Sequence, residues 1–335
     1  MKGAGDKQNQ SIALEKIGVL HSLWCRIGGW FYDNEPEGEL IDYVVNTVEP
    51  ELKRVKGYRT RLKEPLQICR EHCREIVAKI PGPITIGRTG YGDHPFIRAA
   101  FTGADPVENL LGRAAGSKSQ NTLSGTQRVA LLMMTSREKT IFGRKQVGDI
   151  MVGDVAMRSV NFTDHDIVGL ATTLADSRKA LEKYTLEIVV EAAARELSEI
   201  RTRLVDLRQR QEWLHTMNKM FGTGMKVDMG CVFVPFDPEK QKKQEKIEQL
   251  ITDTEEEIAS VRSQSETPED WLAIVEDFLS KPEEILNMQL VSLRLNWLNV
   301  LTDDPKEKAD TITFATFTLA DEMQREGVLV AYEQL

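Results

Sequence analysis

The chain has 335 residues, of which 41% are hydrophobic and 28% charged, and its formal net charge is −9. That length carries one large or two ordinary domains with a real core, and that composition excludes a disordered polyelectrolyte. The negative balance excludes a general attraction to nucleic acid or anionic membrane, and no apolar run reaches the ~20 residues of a membrane span.

The four cysteines have no paired spacing, which points to a reducing compartment, and the polar start MKGAGDKQNQ has no apolar signal core. The expected location is the cytoplasm.

The first quarter reads as helical. Residues 1–10 are polar. Ile12, Ala13, Ile17, Leu20 and Trp24 share a face from Ser11 to Ile27, where Gly28-Gly29 stops the helix. Leu40, Ile41, Val44, Thr47 and Val48 mark a second helix, and Pro50 kinks it or opens a third. Glu64-Pro65 opens another, which Pro81-Gly82-Pro83 ends after Ile80. Residues 1–82 thus form an N-terminal helical region.

Cys69 and Cys73 lie four apart on that last helix, beside His72. A zinc site needs a second Cys/His pair at a matching distance, and none follows. The two thiols therefore join Ile76 and Ile80 on an apolar face. No metal, cofactor or catalytic set is assigned.

Residues 53–79 hold nine basic and three acidic side chains, while 266–310 hold eleven acidic and four basic ones. A basic run can face phosphate, so nucleic acid through Lys53–Arg61 stays open as a minor reading. A solvated helix face that pairs with the acidic stretch is the simpler account.

The glycine-rich segment at 84–98 is the best small-molecule candidate. Converging backbone N–H groups around Gly90 and Gly92 could hold an anion, with Arg88, His94 and Arg98 adding charge and Asp93 beside them. The spacing matches no phosphate-loop or dinucleotide pattern, and a tight turn before Pro95 explains it equally well. Gly112 to Ser119 imitates a phosphate loop, but its second glycine comes one residue early and its lysine is displaced. Residues 116–125 read as a loop.

Val129 to Met134 is a continuous apolar run, as in a strand buried on both faces. A turn is expected at Ser136–Lys139, then strands at Thr140–Phe142, Ile150–Val152 and Val155–Phe162. Val147-Gly-Asp-Ile150 and Val152-Gly-Asp-Val155 suggest bends or bulges.

A helix start is then expected at Thr163, with Asp166 completing a capping box and Phe162 and Ile167 forming a hydrophobic staple. From there to Phe221 no proline occurs, and Gly222 and Gly224 end the run. Such a helix would span roughly 90 Å, too long for the core of one compact domain. Ile167, Leu170, Leu174, Leu181, Tyr184 and Ile188 form one apolar seam. Leu186, Val190, Ala193, Leu197, Ile200, Leu204, Leu207 and Leu214 form a second, heptad-like one. The buried face should therefore change between Leu181 and Val190. This order of strands, an FTDHDI helix start and a helical extension, over about residues 128–185, resembles the exit end of GAF-type sensor domains. That resemblance implies a sheet that holds a small ligand and a helix that passes its state outward.

The connector 222–238 contains Cys231-Val-Phe233-Val-Pro-Phe236, too apolar for an ordinary loop, and reads as a sheet strand or a sticky tip. Asp237-Pro238 opens a return helix with Ile247, Leu250, Thr254, Ile258 and Val261 as its seam. The two helices make an antiparallel, coiled-coil-like hairpin over 186–265. Thr267-Pro268-Glu269-Asp270 starts another helix, with Trp271, Ile274, Val275 and Phe278 as its buried stripe. Val291–Trp297, Thr311–Leu319 and Val328–Tyr332 read as a meander of three strands.

The expected fold is α+β. A mixed or antiparallel sheet body (83–185 and 266–335) follows the N-terminal helices and carries the helical hairpin as an insertion. The expected function is non-catalytic interaction, with self-association into a homo-oligomer or partner binding through Leu197, Ile200, Leu204, Leu207, Leu214, Phe233 and Phe236. The alternative is a sensor or regulatory domain that binds a small anionic ligand at 87–98, or an enzyme that uses that segment.

Overall fold

A computed structural model describes residues 37–87, 91–115, 127–147, 150–223, 238–265, 267–305, 307–320 and 323–333. The expected helix at Ser11–Ile27, the loop at 116–125, most of the connector and both of its phenylalanines, Phe233 and Phe236, lie outside these residues. The fold is α+β, and the chain divides into two compact units.

The first unit comprises residues 71–186 and 283–335. Its elements in chain order are the end of α2 (Tyr58–Lys79), β1 (Ile84–Thr85), α3 (Pro95–Ala100), α4 (Ala104–Ala115), β2 (Gln127–Val147) and β3 (Ile150–Ala171). The start of α5 (Leu174–Thr223), α8 (Pro282–Ile285), β4 (Leu286–Leu295), β5 (Asp310–Leu319) and β6 (Met323–Glu333) complete it. The sheet has strand order β3-β2-β6-β5-β4, all antiparallel, and β1 pairs parallel with β6. The C-terminal meander thus completes the sheet begun at Val129.

The two outer strands are bound by one loop. Val300 bridges Ser159 of β3, while Leu301 bridges Leu295 of β4. The sheet therefore curls, and α3 and α4 cover its inner face. Phe96, Ile97, Val107 and Leu110 from the helices meet Leu132, Phe162, Phe314 and Val330 from the strands in one buried cluster.

The alternation expected at Val291–Trp297 belongs to a strand that begins at Leu286 and ends at Leu295. Trp297 falls in the following turn and is 80% exposed. Asn296 makes that turn by accepting N–H bonds from Leu298 and Val300.

Four short strands and a turn at Ser136–Lys139 were expected before the long helix. The structure has instead two strands of 21 and 22 residues, paired from Val129–Ala171 to Val147–Ile150. Ser136–Lys139 continues β2, because Asn161 to Ser159 pair across from Arg137 to Lys139. The turn reading weighed polarity alone, and an exposed ribbon can be polar on both faces.

β3 is bulged three times, always with two of its residues between pairing points against one of β2. Each bulge holds one left-handed residue: Asp154 (φ 55°), Asp164 (φ 54°) and Gly169 (φ 65°). The first lies in the Val152-Gly-Asp-Val155 unit where a bend was expected.

The helix start expected at Thr163 is a further correction. The motif T-x-x-D stands at Thr163–Asp166 and again ten residues on, at Thr173–Asp176. The helix uses the second. The Asp176 N–H donates to Thr173 Oγ1 at 3.1 Å, and that hydroxyl donates to Asp176 Oδ2 at 2.6 Å. Residues 163–171 remain strand because they pair with Val129–Thr135. The first motif's likeness to a sensor-domain exit helix therefore loses its helix start. The expected face change falls where burial encircles the helix, since every residue from Tyr184 to Val190 is buried.

The second unit comprises residues 36–70 and 187–282 and is helical. It holds α1 (Glu37–Val48), a 3₁₀ turn (Pro50–Arg54), the start of α2, most of α5, α6 (Pro238–Ser265) and α7 (Pro268–Ser280). Helix α2 begins at Tyr58, ahead of the start expected at Glu64-Pro65, so Pro65 is interior. Cys69 (0% exposed) and Cys73 (1%) are buried on the face they share with Ile76 and Ile80.

Helices α5 and α6 form an antiparallel hairpin. Leu214 packs with Ile247 and Ile251, Arg203 pairs with Glu257 at 2.6 Å, and Gln211 donates to Glu255 at 3.2 Å. The capping box of α7 is complete, with Thr267 Oγ1 accepting from the Asp270 N–H and Asp270 Oδ2 accepting from the Thr267 N–H. Its buried stripe is Leu272, Val275 and Leu279 rather than Trp271, Ile274 and Phe278, a rotation of one residue. Trp271 remains half-buried because the Arg201 guanidinium stacks 4.3 Å above its ring.

Candidate functional site

Of the glycine-rich candidates, Arg88 and Gly90 lie outside the described residues. Gly92 and Asp93 are exposed in a turn. His94 caps α3, and its Nδ1 accepts the Phe96 N–H at 3.1 Å. That bond needs an unprotonated Nδ1, and burial lowers the pKa of the ring in the same sense. Arg98, at the end of α3, pairs with Asp310. His94 and Arg98 thus anchor α3 by its two ends.

Three arginines of the basic run are paired within the helical unit. Arg61 binds Glu276 and Glu269, Arg59 binds Asp42, and Arg54 pairs with Glu51. Glu269 and Glu276 belong to the acidic stretch that the composition marks as its partner.

The arm's inner seam is spent inside the chain. Leu197, Leu207 and Leu214 are buried, and Ile200 and Leu204 are half-buried. What the helix leaves uncovered is a different row: Val205, Trp213 and Met220 are 49%, 60% and 72% exposed. At about 100° per residue, Trp213 and Met220 lie 20° apart around the helix and at least 100° from Leu207 and Leu214.

A site that the sequence reading passed over lies at the second bulge of β3. A cleft of about 420 Å³ is lined by Phe101, Pro106, Leu110 and Arg113 on one side and by Asp164, His165 and Asp166 on the other. On a regular strand successive side chains alternate between faces. Here three consecutive residues border one cleft, and left-handed Asp164 interrupts the alternation. Buried Arg325 holds the bulge by donating to the Asp164 carbonyl at 2.9 Å.

The His165 ring stacks on Phe101, with centroids 4.4 Å apart, and its Nε2 lies 2.9 Å from the Ala100 carbonyl. That carbonyl only accepts, so Nε2 carries a proton and a neutral ring keeps Nδ1 as an acceptor. Arg113, in the last turn of α4, reaches the His165 carbonyl at 3.5 Å.

Comparison with protein-family models, curated proteins and solved structures finds no match to this chain.

The residues themselves must therefore carry the functional argument. Among the described residues, no group of three His, Cys, Asp or Glu side chains could hold a metal ion, and no helix is long and apolar enough to cross a membrane. The signal that could have exposed the cleft is Asp164-His165-Asp166 itself. Three polar residues in a row at the end of an apolar strand are out of place unless the strand is bulged.

Burial is the main cause that lowers the His165 pKa. The Ala100 bond and Asp164 oppose it, and Arg113 and Arg325 reinforce it. A base with a depressed folded pKa contributes stability that is present above its unfolded pKa, near 6.5, and is lost as pH falls through the folded value. Lowering the pH from about 7.5 to 5.5 should therefore reduce the melting temperature of the wild type more than that of His165→Asn, which keeps a donor for Ala100 but cannot titrate. Equal losses in the two proteins would remove His165 as the cause.

Proposed function

We propose that the protein is a non-catalytic interaction protein that self-associates through its helical arm. The observation that carries this reading is the exposed row Val205, Trp213 and Met220 on α5, left over after Leu214 has packed against Ile247 and Ile251 of α6. Large apolar side chains in a row on a charged helix mark interaction surfaces, and tryptophan is the residue most often dominant in them. A second copy brings an identical row, so a twofold arrangement buries both. The Leu197–Leu214 seam takes the role of stiffening the arm rather than meeting the partner.

The test is light scattering of the whole chain at tens of micromolar, the range of a modest interface. The wild type should have twice the mass of Trp213→Glu/Met220→Glu, with the same helical circular dichroism. A monomeric wild type, or an unchanged mass in the variant, would overturn the reading.

A further inference from the structure

We infer that the arm pairs with a second copy as a four-helix bundle, with α5 of each chain lying on α6 of the other. This rests on the self-association reading and adds a second helix to its surface. The apolar side chains that α5 leaves uncovered have a counterpart on α6, where Leu250 is 40% exposed. Contacts inside the hairpin place Trp213 and Leu250 on one face. Arg203 meets Glu257 along one side of the hairpin, and Gln211 meets Glu255 along the other. At about 100° per residue, Arg210 and Trp213 fall on the Arg203 side of α5, and Leu250 and Asp253 fall on the Glu257 side of α6. The packing of Leu214 with Ile247 and Ile251 sets Trp213 level with Leu250, and Arg210 level with Asp253. This face thus presents Trp213 and Leu250 side by side, with Arg210 and Asp253 next along each helix. Arg210 and Asp253 are exposed and form no ion pair among the described residues.

Two hairpins can meet on this face about a twofold axis in two ways. An axis along the arm lays α5 on the partner's α6, and an axis across the arm lays each helix on its own kind. Charge separates them. Over 201–220, α5 carries five Lys or Arg and two Asp or Glu, whereas α6 carries three and six over 242–257. An axis across the arm therefore sets a positive helix on a positive one and a negative on a negative. An axis along the arm sets positive on negative at both contacts, and it is the arrangement that complementary charge favours. It also preserves level, so Trp213 lies on the partner's Leu250 and Arg210 on the partner's Asp253, each contact occurring twice. All neighbouring helices are then antiparallel, as in an up-down bundle.

The experiment is light scattering of the whole chain over about 1–100 µM, which brackets a modest interface. Leu250→Glu, with the circular dichroism of the wild type, should be monomeric where the wild type is a dimer. Arg210→Glu and Asp253→Arg should each weaken the dimer roughly tenfold or more, because each turns two attractive contacts into repulsive ones. Mixed in equal amounts, these two variants should associate as tightly as the wild type, since their heterodimer has opposite charges at both contacts. A pairing of Arg210 with Asp253 inside one chain gives no such recovery. A monomeric wild type overturns the self-association reading and the bundle with it. A dimeric wild type whose mass Leu250→Glu leaves unchanged overturns the bundle alone, as does a mixture that associates no better than either single variant.

Discussion

Replacing Phe314 by alanine is expected to lower the unfolding free energy of the sheet unit by about 3–5 kcal/mol, a large part of the ~5–15 kcal/mol that holds a domain folded. Phe314 is 2% exposed and meets Phe162 edge-on, with ring centroids 5.8 Å apart, and Phe96 at 6.4 Å. The geometry of the sheet makes this contact informative. β3 and β5 are separated by β2 and β6, which on a flat sheet places them roughly 14 Å apart. Two rings from those strands touch because the sheet curls, and Phe96 of α3 fills the curl from above, 6.3 Å from Phe162. Truncating Phe314 opens a cavity where three elements meet, and a close-packed interior relaxes into such a void only in part. Urea denaturation should show the loss, and amide exchange in β2, β5 and β6 should show that it falls on this unit. Leu290→Ala, at a position 56% exposed on β4, is the control and should stay within about 0.5 kcal/mol. If the two variants lose the same amount, the aromatic trio is not the centre of the core.

Where local chemistry decides the structure, the sequence was readable. Thr267-Pro-Glu-Asp270 forms its capping box because each partner lies within one turn. The strands at 310–319 and 323–333 follow alternation and apolar runs that need no distant information. The misreadings at the start of the long helix and at the cleft share one cause. Thr163-x-x-Asp166 and Thr173-x-x-Asp176 are equivalent as local signals, and only the pairing of residues 163–171 with β2 tells them apart. The same pairing creates the bulge at Asp164, and the bulge creates the cleft, so the site was hidden with the strand. The stripe of α7 was misplaced by one residue because Trp271 and Phe278 are apolar enough to look buried. The grouping of residues 36–70 with 187–282 has no local signature at all. Its ties, such as Arg61 with Glu276 and Arg201 with Glu49, join residues more than a hundred positions apart.

Substituting Gly169 by alanine is expected to destabilise the sheet unit by about 2–5 kcal/mol, the sum of a left-handed backbone cost of ~1–2 kcal/mol and an overpacking cost of ~1–3 kcal/mol. Gly169 occupies the third bulge of β3 at φ 65°, a region that side chains with a Cβ avoid. An added Cβ would stand 2.5 Å from Leu181 Cδ2. Leu181 cannot readily turn aside, since it is 1% exposed at the start of α5. The residue also ties the strand to the helix, because the buried Ser177 hydroxyl donates to the Gly169 carbonyl at 2.7 Å. Pushing Gly169 away from Leu181 therefore strains the junction from both sides. Gly112→Ala is the matched contrast. Gly112 lies on the exposed side of α4 with nothing within 4 Å of an added Cβ, so alanine should stabilise by about 0.5–1 kcal/mol through helix propensity alone. Opposite signs for two Gly→Ala changes in one unit, read from paired urea curves, would show that the bulge at Gly169 is required where the chain leaves the sheet for the long helix. A loss at Gly169 no larger than that of an exposed loop substitution would mean that Leu181 yields, and that the junction is held by the Thr173 cap alone.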